Sequence, residues 1–369
     1  MRPTRPIASA GTRATLPVEI AVAPGLADVA ADELQELARR LGRGTMTPEV
    51  RDDAIALRWP GTIDELHTLR TAASLSRVWR FDVPRPKALL GDALLRALAT
   101  DVGDLVRAAP APFHALRLSA AGRDSDVMRR FADVLASSLS LRVDHEGGDL
   151  LVRVRRAQDG AWEVLVRTTP RPMSVRAWRT CDRRGGLDGA FAAAAVRLAR
   201  PRPTDRVLGA MVGSGTLLIE RALVAPAERL DGVDIDAEAV ACTLANAASA
   251  GAGEHVHVWR GDVTALDVPA AAFDLILVDP PWGDAVGSNR TNPTLYEGML
   301  IELGRIAAPG ARLVLVTHEV RLTERLLEDH PLWSVVHARR AWHGGHQPLL
   351  CVLRRNRRRS EGARGAMLG

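Results

Sequence analysis

Phe273-Asp274-Leu275-Ile276-Leu277-Val278-Asp279-Pro280-Pro281-Trp282-Gly283 is the stretch that decides the fold. Leu275 to Val278 are four apolar residues in a row, so the strand predicted over Phe273 to Val278 has no polar face and must be covered on both sides. Leu313-Val314-Leu315-Val316 repeats the pattern. From Arg206 onward, strands at Leu230 to Val233, Val256 to Trp259 and Leu349 to Leu353 alternate with segments of helical spacing. That alternation predicts an α/β fold, a doubly wound, mostly parallel sheet of Rossmann-like type.

Upstream the pattern differs. Val18 to Val22 reads as a strand ended by Pro24-Gly25, Leu26 to Leu41 has helical spacing, and Ala54 to Trp59 alternates again. A helix around Ile63 to Leu69 and a strand from Ser76 to Val83 complete a small α+β unit. A second unit follows Pro84 to Pro86, with a helix from Leu89 to Val106 and a strand at His114 to Leu118. There Asp124 or Ser125 caps a further helix, and strands at Leu150 to Val154 and Trp162 to Val166 meet across Asp159-Gly160, a hairpin signal. The expected domains are a polar lead (1–16), units at 17–85 and 86–180, the α/β domain at 181–357, and a disordered tail (358–369) beginning in the arginines near Arg357.

The chain has 369 residues, 47% of them apolar, enough for more than one core. A net charge of +5 and a pI near 9.9 favour an acidic partner such as nucleic acid. Lys87 is the only lysine, and an arginine skew of that kind can also come from genome base composition. Cys181, Cys242 and Cys351 stand far apart without CxxC spacing, which suggests neither a zinc site nor a disulfide framework and points to a reducing compartment. With no signal peptide and no apolar run of about 20 residues, the expectation is a cytoplasmic protein off the membrane. Nothing implies an obligate protein partner.

Four constellations carry chemistry. Gly209 to Thr216, a Gly-Ser-Gly turn between a strand and a helix, allows close backbone approach and offers helix N–H groups; it lacks both the GxGxxG fingerprint and a phosphate loop. Asp234, at a strand end about 20 residues on, can accept both hydroxyls of a ribose, with Asp236 as fallback and helix capping as the bland alternative. Asp262, in Gly261-Asp262-Val263, can accept from an exocyclic amine or serve as a loop cap. In Asp279-Pro280-Pro281-Trp282 the prolines remove backbone donors, so the Pro280 carbonyl and the Asp279 carboxylate can hold both hydrogens of a planar NH2, while Trp282 stacks on the attached base. His343-Gly344-Gly345-His346 lacks a third metal ligand and reads as a turn.

These motifs resemble the THUMP-domain RNA methyltransferases, particularly those forming N2-methylguanosine in tRNA. The family's Asp-Pro-(Met/Phe)-Cys-Gly-Ser-Gly-Thr resembles Gly209 to Thr216, its Gly-x-Asp-Ile-Asp resembles Gly232 to Asp236, and its Asn/Asp-Pro-Pro-aromatic-Gly matches Asp279 to Gly283. Gly287, Leu295, Tyr296 and the His343 to Gly345 turn are also similar. Ala23-Pro24-Gly25-Leu26 resembles the opening of the family's ferredoxin-like domain, and Pro170 to Arg179 the end of its THUMP module. The resemblance implies a class I methyltransferase domain behind ferredoxin-like and THUMP domains, with tRNA as partner and S-adenosyl-L-methionine as cofactor. The cofactor would be held by Gly213, Ser214, Gly215, Thr216, Asp234, Ile235, Asp262 and Val263, with Asp279, Pro280, Pro281 and Trp282 catalytic and no metal.

This chain departs from the family at Gly209, where the family has an aspartate that helps hold the methionine amino group, and at Val212, where it has a cysteine or small residue. Adenine N6 remains an alternative target, since Asp-Pro-Pro-Trp can hold either amine. A non-catalytic RNA-binding protein on a decayed methyltransferase fold is the alternative from another class. Glutamine methylation would call for a helical N-terminal domain, which the α+β pattern opposes.

Overall fold

The computed structural model describes residues 15–281 and 292–356. Trp282, Gly283 and Gly287 lie outside these residues, as do most of the polar lead and the arginine-rich tail. The described chain forms two compact units, residues 15–22 with 30–173, and residues 23–29 with 174–281 and 292–356.

The first unit contains β1 (Leu16–Ala21), most of α1 (Ala27–Arg40), β2 (Glu49–Val50), β3 (Ala54–Trp59), α2 (Ile63–Leu66) and β4 (Ser74–Phe81). After a 3-10 turn at Pro86–Leu90 come α3 (Asp92–Ala108), β5 (Ala115–Ala120), α4 (Asp126–Ser138), β6 (Arg142–Val143), β7 (Leu150–Arg156) and β8 (Trp162–Arg167). All eight strands share one sheet, ordered β2-β3-β1-β4-β8-β7-β5-β6. The two segments expected as separate units meet where β4 pairs antiparallel with β8, from Ser76↔Arg167 to Phe81↔Trp162. Pairing there removes two exposed strand edges, a long-range gain that local sequence does not display.

Local signals explain much of this unit. Ser125 caps α4 by accepting from the Met128 N–H. Gly160 takes the positive φ of +92° that the β7–β8 turn needs. Leu98, Val102, Phe131 and Leu135 bury against Leu116, Val152 and Val164 of the sheet.

The second unit runs α5 (Gly189–Leu198), β9 (Arg206–Ala210), α6 (Thr216–Val224), β10 (Arg229–Asp234), α7 (Ala237–Ser249) and β11 (Val256–Arg260). It continues through β12 (Phe273–Val278), α8 (Asn292–Ile306), β13 (Ala307–Thr317), α9 (Val320–Leu327), β14 (Trp333–Arg340) and β15 (Leu349–Arg355). The sheet order is β11-β10-β9-β12-β13-β15-β14. The first five strands are parallel; β15 runs antiparallel to β13, and β14 antiparallel to β15. Leu275 and Leu277 enter one core with α5 and α6, whereas Ile276 and Val278 enter the other with Met299, Leu300 and Leu303 of α8. Double coverage therefore accounts for the unbroken apolar run. Strand order reverses between β9 and β12, which opens a crevice at their carboxyl ends.

The division between units falls at Met173/Ser174, ahead of the boundary expected at 180/181. Arg176 Nε donates to Glu220 Oε1 of α6 at 2.8 Å, and Arg179 donates to Thr216 Oγ1 at 2.6 Å. Residues expected to end the RNA-binding module thus pack with the α/β unit.

Candidate active site

A cavity of about 410 Å³ occupies the crevice at the strand ends. Its floor is the loop after β9, where Met211, Gly213 and Gly215 take φ values of +54°, +57° and +82°. Gly215 is required twice over, because a Cβ there would also stand 2.7 Å from Thr243 Cγ2 of α7. The loop is clamped from behind, with Thr243 Oγ1 donating to the Gly213 carbonyl (3.1 Å) and Asn246 Nδ2 to the Ser214 carbonyl (2.9 Å). Gly213, Ser214 and Thr216 line the cavity at the start of α6, while Gly215 shapes the loop behind them.

Asp234 lines the cavity at the end of β10. Its Oδ2 accepts from the Gly213 N–H (2.9 Å) and its Oδ1 from the Asp236 N–H (3.0 Å), so it ties the glycine loop to the strand. Helix capping falls instead to Asp236, which accepts from the Glu238 N–H and pairs with Arg183. Those bonds hold the Asp236 carboxyl below its usual range, the backbone N–H of Glu238 foremost. Ile235 lines the cavity while 59% exposed, an apolar side chain left bare beside a carboxylate. Val263 and Asp262 complete that wall, and Asp262 Oδ1 also accepts from the Thr264 N–H and hydroxyl (2.9 and 2.7 Å). The loop-cap reading of Asp262 therefore holds for one oxygen.

Opposite stand Asp279, Pro280 and Pro281. Burial pushes the Asp279 carboxyl up from 3.8 to about 8. The Pro281 carbonyl accepts from the hydroxyl of buried Tyr296 (3.3 Å), which anchors the proline turn to α8. Trp282 lies outside the described residues. Every other candidate site residue lines one cavity or, like Gly215, builds its floor.

Sequence reasoning missed the strap before α5. Arg183 to Leu187 line the cavity, and Asn246 holds the strap by accepting from the Cys181 N–H and donating to the Cys181 carbonyl (2.9 and 2.8 Å). The cysteine spacing suggested no disulfide framework and hence a reducing compartment, but Cys181 of the strap and Cys242 of α7 are bridged, their Cα atoms 5.4 Å apart, which removes that argument for the compartment. A separation of 61 residues concealed a contact that only the tertiary fold creates. Cys351 is free and buried.

Gly344 and Gly345 form a tight turn with φ of +56° and +84°, closed by reciprocal hydrogen bonds between His343 and His346. His343 Nε2 accepts from the Asp188 N–H (2.8 Å), and burial lowers its pKa, so the ring is engaged as a neutral anchor for the start of α5.

The two departures from the family motif are one packing event. A Cβ at Gly209 would stand 3.0 Å from Val212 Cγ1 and 3.2 Å from Leu218 Cβ. Val212 fills space that a side chain at 209 would need.

The cavity's volume lies in the range of about 300–1,000 Å³ usual for small-molecule sites. Its close backbone loop, the carboxylate at the end of β10 and the bare apolar wall suit S-adenosyl-L-methionine.

A family model described as RMKL-like, methyltransferase domain, matches residues 176–348. Over 230 residues the chain is 31% identical to the tRNA (guanine(6)-N2)-methyltransferase of Thermus thermophilus, covering 62% of this chain and 67% of that one. This chain belongs to the tRNA guanine-N2 methyltransferase family. The methyltransferase is also 24% identical over 230 residues to the tRNA (guanine(6)-N2)-methyltransferase of Archaeoglobus fulgidus, covering 56% of its own length and 58% of the relative's. The crystal structure of TrmN from Thermus thermophilus is similar to the enzyme with a TM-score of 0.73 at 26% identity, over 92% of this chain and 99% of that one. The enzyme is an S-adenosyl-L-methionine-dependent transferase acting on RNA. No helix among its described residues is long and apolar enough to cross a membrane.

Proposed function

We propose that the enzyme methylates the exocyclic N2 amine of guanine in tRNA, at the position 6 that its relatives' names carry. The observation that carries this reading is a carboxyl, Asp279, half-buried beside two prolines in the same cavity as the glycine loop and Asp234. S-adenosyl-L-methionine supplies an electrophilic methyl group on sulfonium. Gly213 to Thr216 would hold its methionine end, Asp234 the ribose hydroxyls, and Ile235, Asp262 and Val263 the adenine.

Asp279 and the Pro280 carbonyl accept the two amine hydrogens, which turns the nitrogen lone pair towards the donor; catalysis is mainly this positioning. Burial raises the Asp279 carboxyl to about 8 and so favours its protonated form before an amine approaches. Donated N–H bonds favour the ionised form, leaving an acceptor for the proton that nitrogen loses on methylation. Residues 86–173 act as the THUMP-like module that grips tRNA, Trp282 stacks on the delivered base, and the base is flipped from its duplex. A cytoplasmic location, with the tRNA pool, accompanies this reading.

Transfer of labelled methyl groups to tRNA tests it. Asp279→Ala is expected to lose at least about 100-fold in rate while tRNA retention on filters stays within about threefold. A variant with near-original transfer would refute the assignment.

A further inference from the structure

β12 and β13 are parallel neighbours, with Val278 opposite Leu315, so their carboxyl ends present Asp279 on one side and Thr317-His318-Glu319 on the other. Adjacent strands lie about 4.8 Å apart, the scale of one base edge. A hydrogen-bond chain joins the two ends. The Tyr296 hydroxyl donates to the Pro281 carbonyl (3.3 Å) and accepts from Thr317 Oγ1 (2.8 Å), and Thr317 Oγ1 accepts from the Glu319 N–H (3.0 Å).

The Glu319 side chain is also held, because Asn292 Nδ2 donates to its Oε1 at 2.8 Å. Asn292 is 1% exposed, and its Oδ1 is buried without a partner among the described residues. Burial first, and then the charges of Glu319 and Asp279, push the Tyr296 phenol above its ordinary range, in keeping with two carboxylates flanking one hydroxyl. Nothing in the amine-holding role of Asp279 uses this second, oriented carboxylate.

Glu319 is a fixed acceptor at the end of the strand next to the one that carries the amine grip, and an acceptor reaching the base from there discriminates between purines. Guanine presents N1–H next to its N2 amine, two donor groups in a row. Adenine presents a bare N1 lone pair next to its N6 amine, which would face the Glu319 carboxylate as acceptor against acceptor. We propose that Glu319 accepts the guanine N1–H and is the residue that selects guanine over adenine at this site. The inference rests on the guanine-N2 reading above and deepens it.

The test compares kcat/KM for tRNA carrying guanine at the methylated position with the same tRNA carrying 2-aminopurine there. The analogue keeps the N2 amine but has an acceptor at N1. Wild-type enzyme is expected to prefer guanine by about 100-fold or more, as sites built around a hydrogen bond do. Glu319→Gln presents an amide NH2 to N1 and is expected to narrow that preference at least about tenfold, with affinity for S-adenosyl-L-methionine unchanged within about twofold. Loss of O6 is common to both enzymes, so the ratio of ratios isolates residue 319.

Asn292→Ala, which frees Glu319 without removing it, is expected to narrow the same ratio by a smaller factor and serves if Glu319→Gln does not fold. An unchanged ratio in a variant that still methylates guanine overturns the proposal and leaves the guanine-N2 reading standing. Absence of transfer to guanine by the wild-type enzyme overturns both.

Discussion

At the scale of the residue, Asp279 couples chemistry to stability. Its carboxyl ionises near pH 8 when folded, against an ordinary value of 3.8. Between those values the folded chain keeps a proton that the unfolded chain has lost, so folding stability falls as pH rises from about 4 to about 8, by up to about 1.4 kcal/mol per pH unit. Above the folded value the slope ends. Asp279→Asn has no such proton, so its melting temperature is expected to gain on wild type by a few degrees per unit between pH 5 and pH 8, then stay level, while transfer is lost. A melting difference independent of pH would show that Asp279 is not held protonated. Asp279 was legible as chemistry because its proline neighbours have few other uses, but its raised pKa was not, since burial belongs to the surrounding fold. Gly209 was legible only as a missing aspartate; its packing against Val212 and Leu218 shows why the neighbouring departure accompanies it.

At the scale of elements, strands whose residues enter two cores announced themselves, as in Leu275 to Val278, while β14 did not. Its Trp333–Arg340 run pairs only with β15 at the sheet edge and is largely exposed, so no apolar pattern marks it. The strap from Ser174 to Asp188 was legible only in its first residues, as the end of the RNA-binding module, and its place at the cavity was not, because Asn246, Glu220 and Cys242 hold it from far along the chain. Closing a loop of 61 residues is worth up to about 4 kcal/mol on the chain-entropy account. Reduction by dithiothreitol, or Cys242→Ser, is accordingly expected to lower the second unit's calorimetric melting temperature by on the order of 10 °C. It is also expected to weaken S-adenosyl-L-methionine binding, because Arg183 to Leu187 line the cavity. Identical melting with and without reductant would mean that the bridge does not hold the strap.

At the scale of the whole molecule, the α/β unit was readable from alternation alone, whereas the single sheet of the first unit was not. Each half looked self-sufficient, and the β4–β8 pairing, between residues about 80 to 90 positions apart, joins them into one sheet. Family membership carries the activity to this chain; its target is the central claim. Mass spectrometry of nucleosides from tRNA tests that claim most directly, in cells lacking the gene and in cells complemented with wild type or Asp279→Ala. The N2-methylguanosine content is expected to fall on deletion, return with wild type and stay low with Asp279→Ala. Unchanged N2-methylguanosine, or loss of N6-methyladenosine in its place, would contradict it.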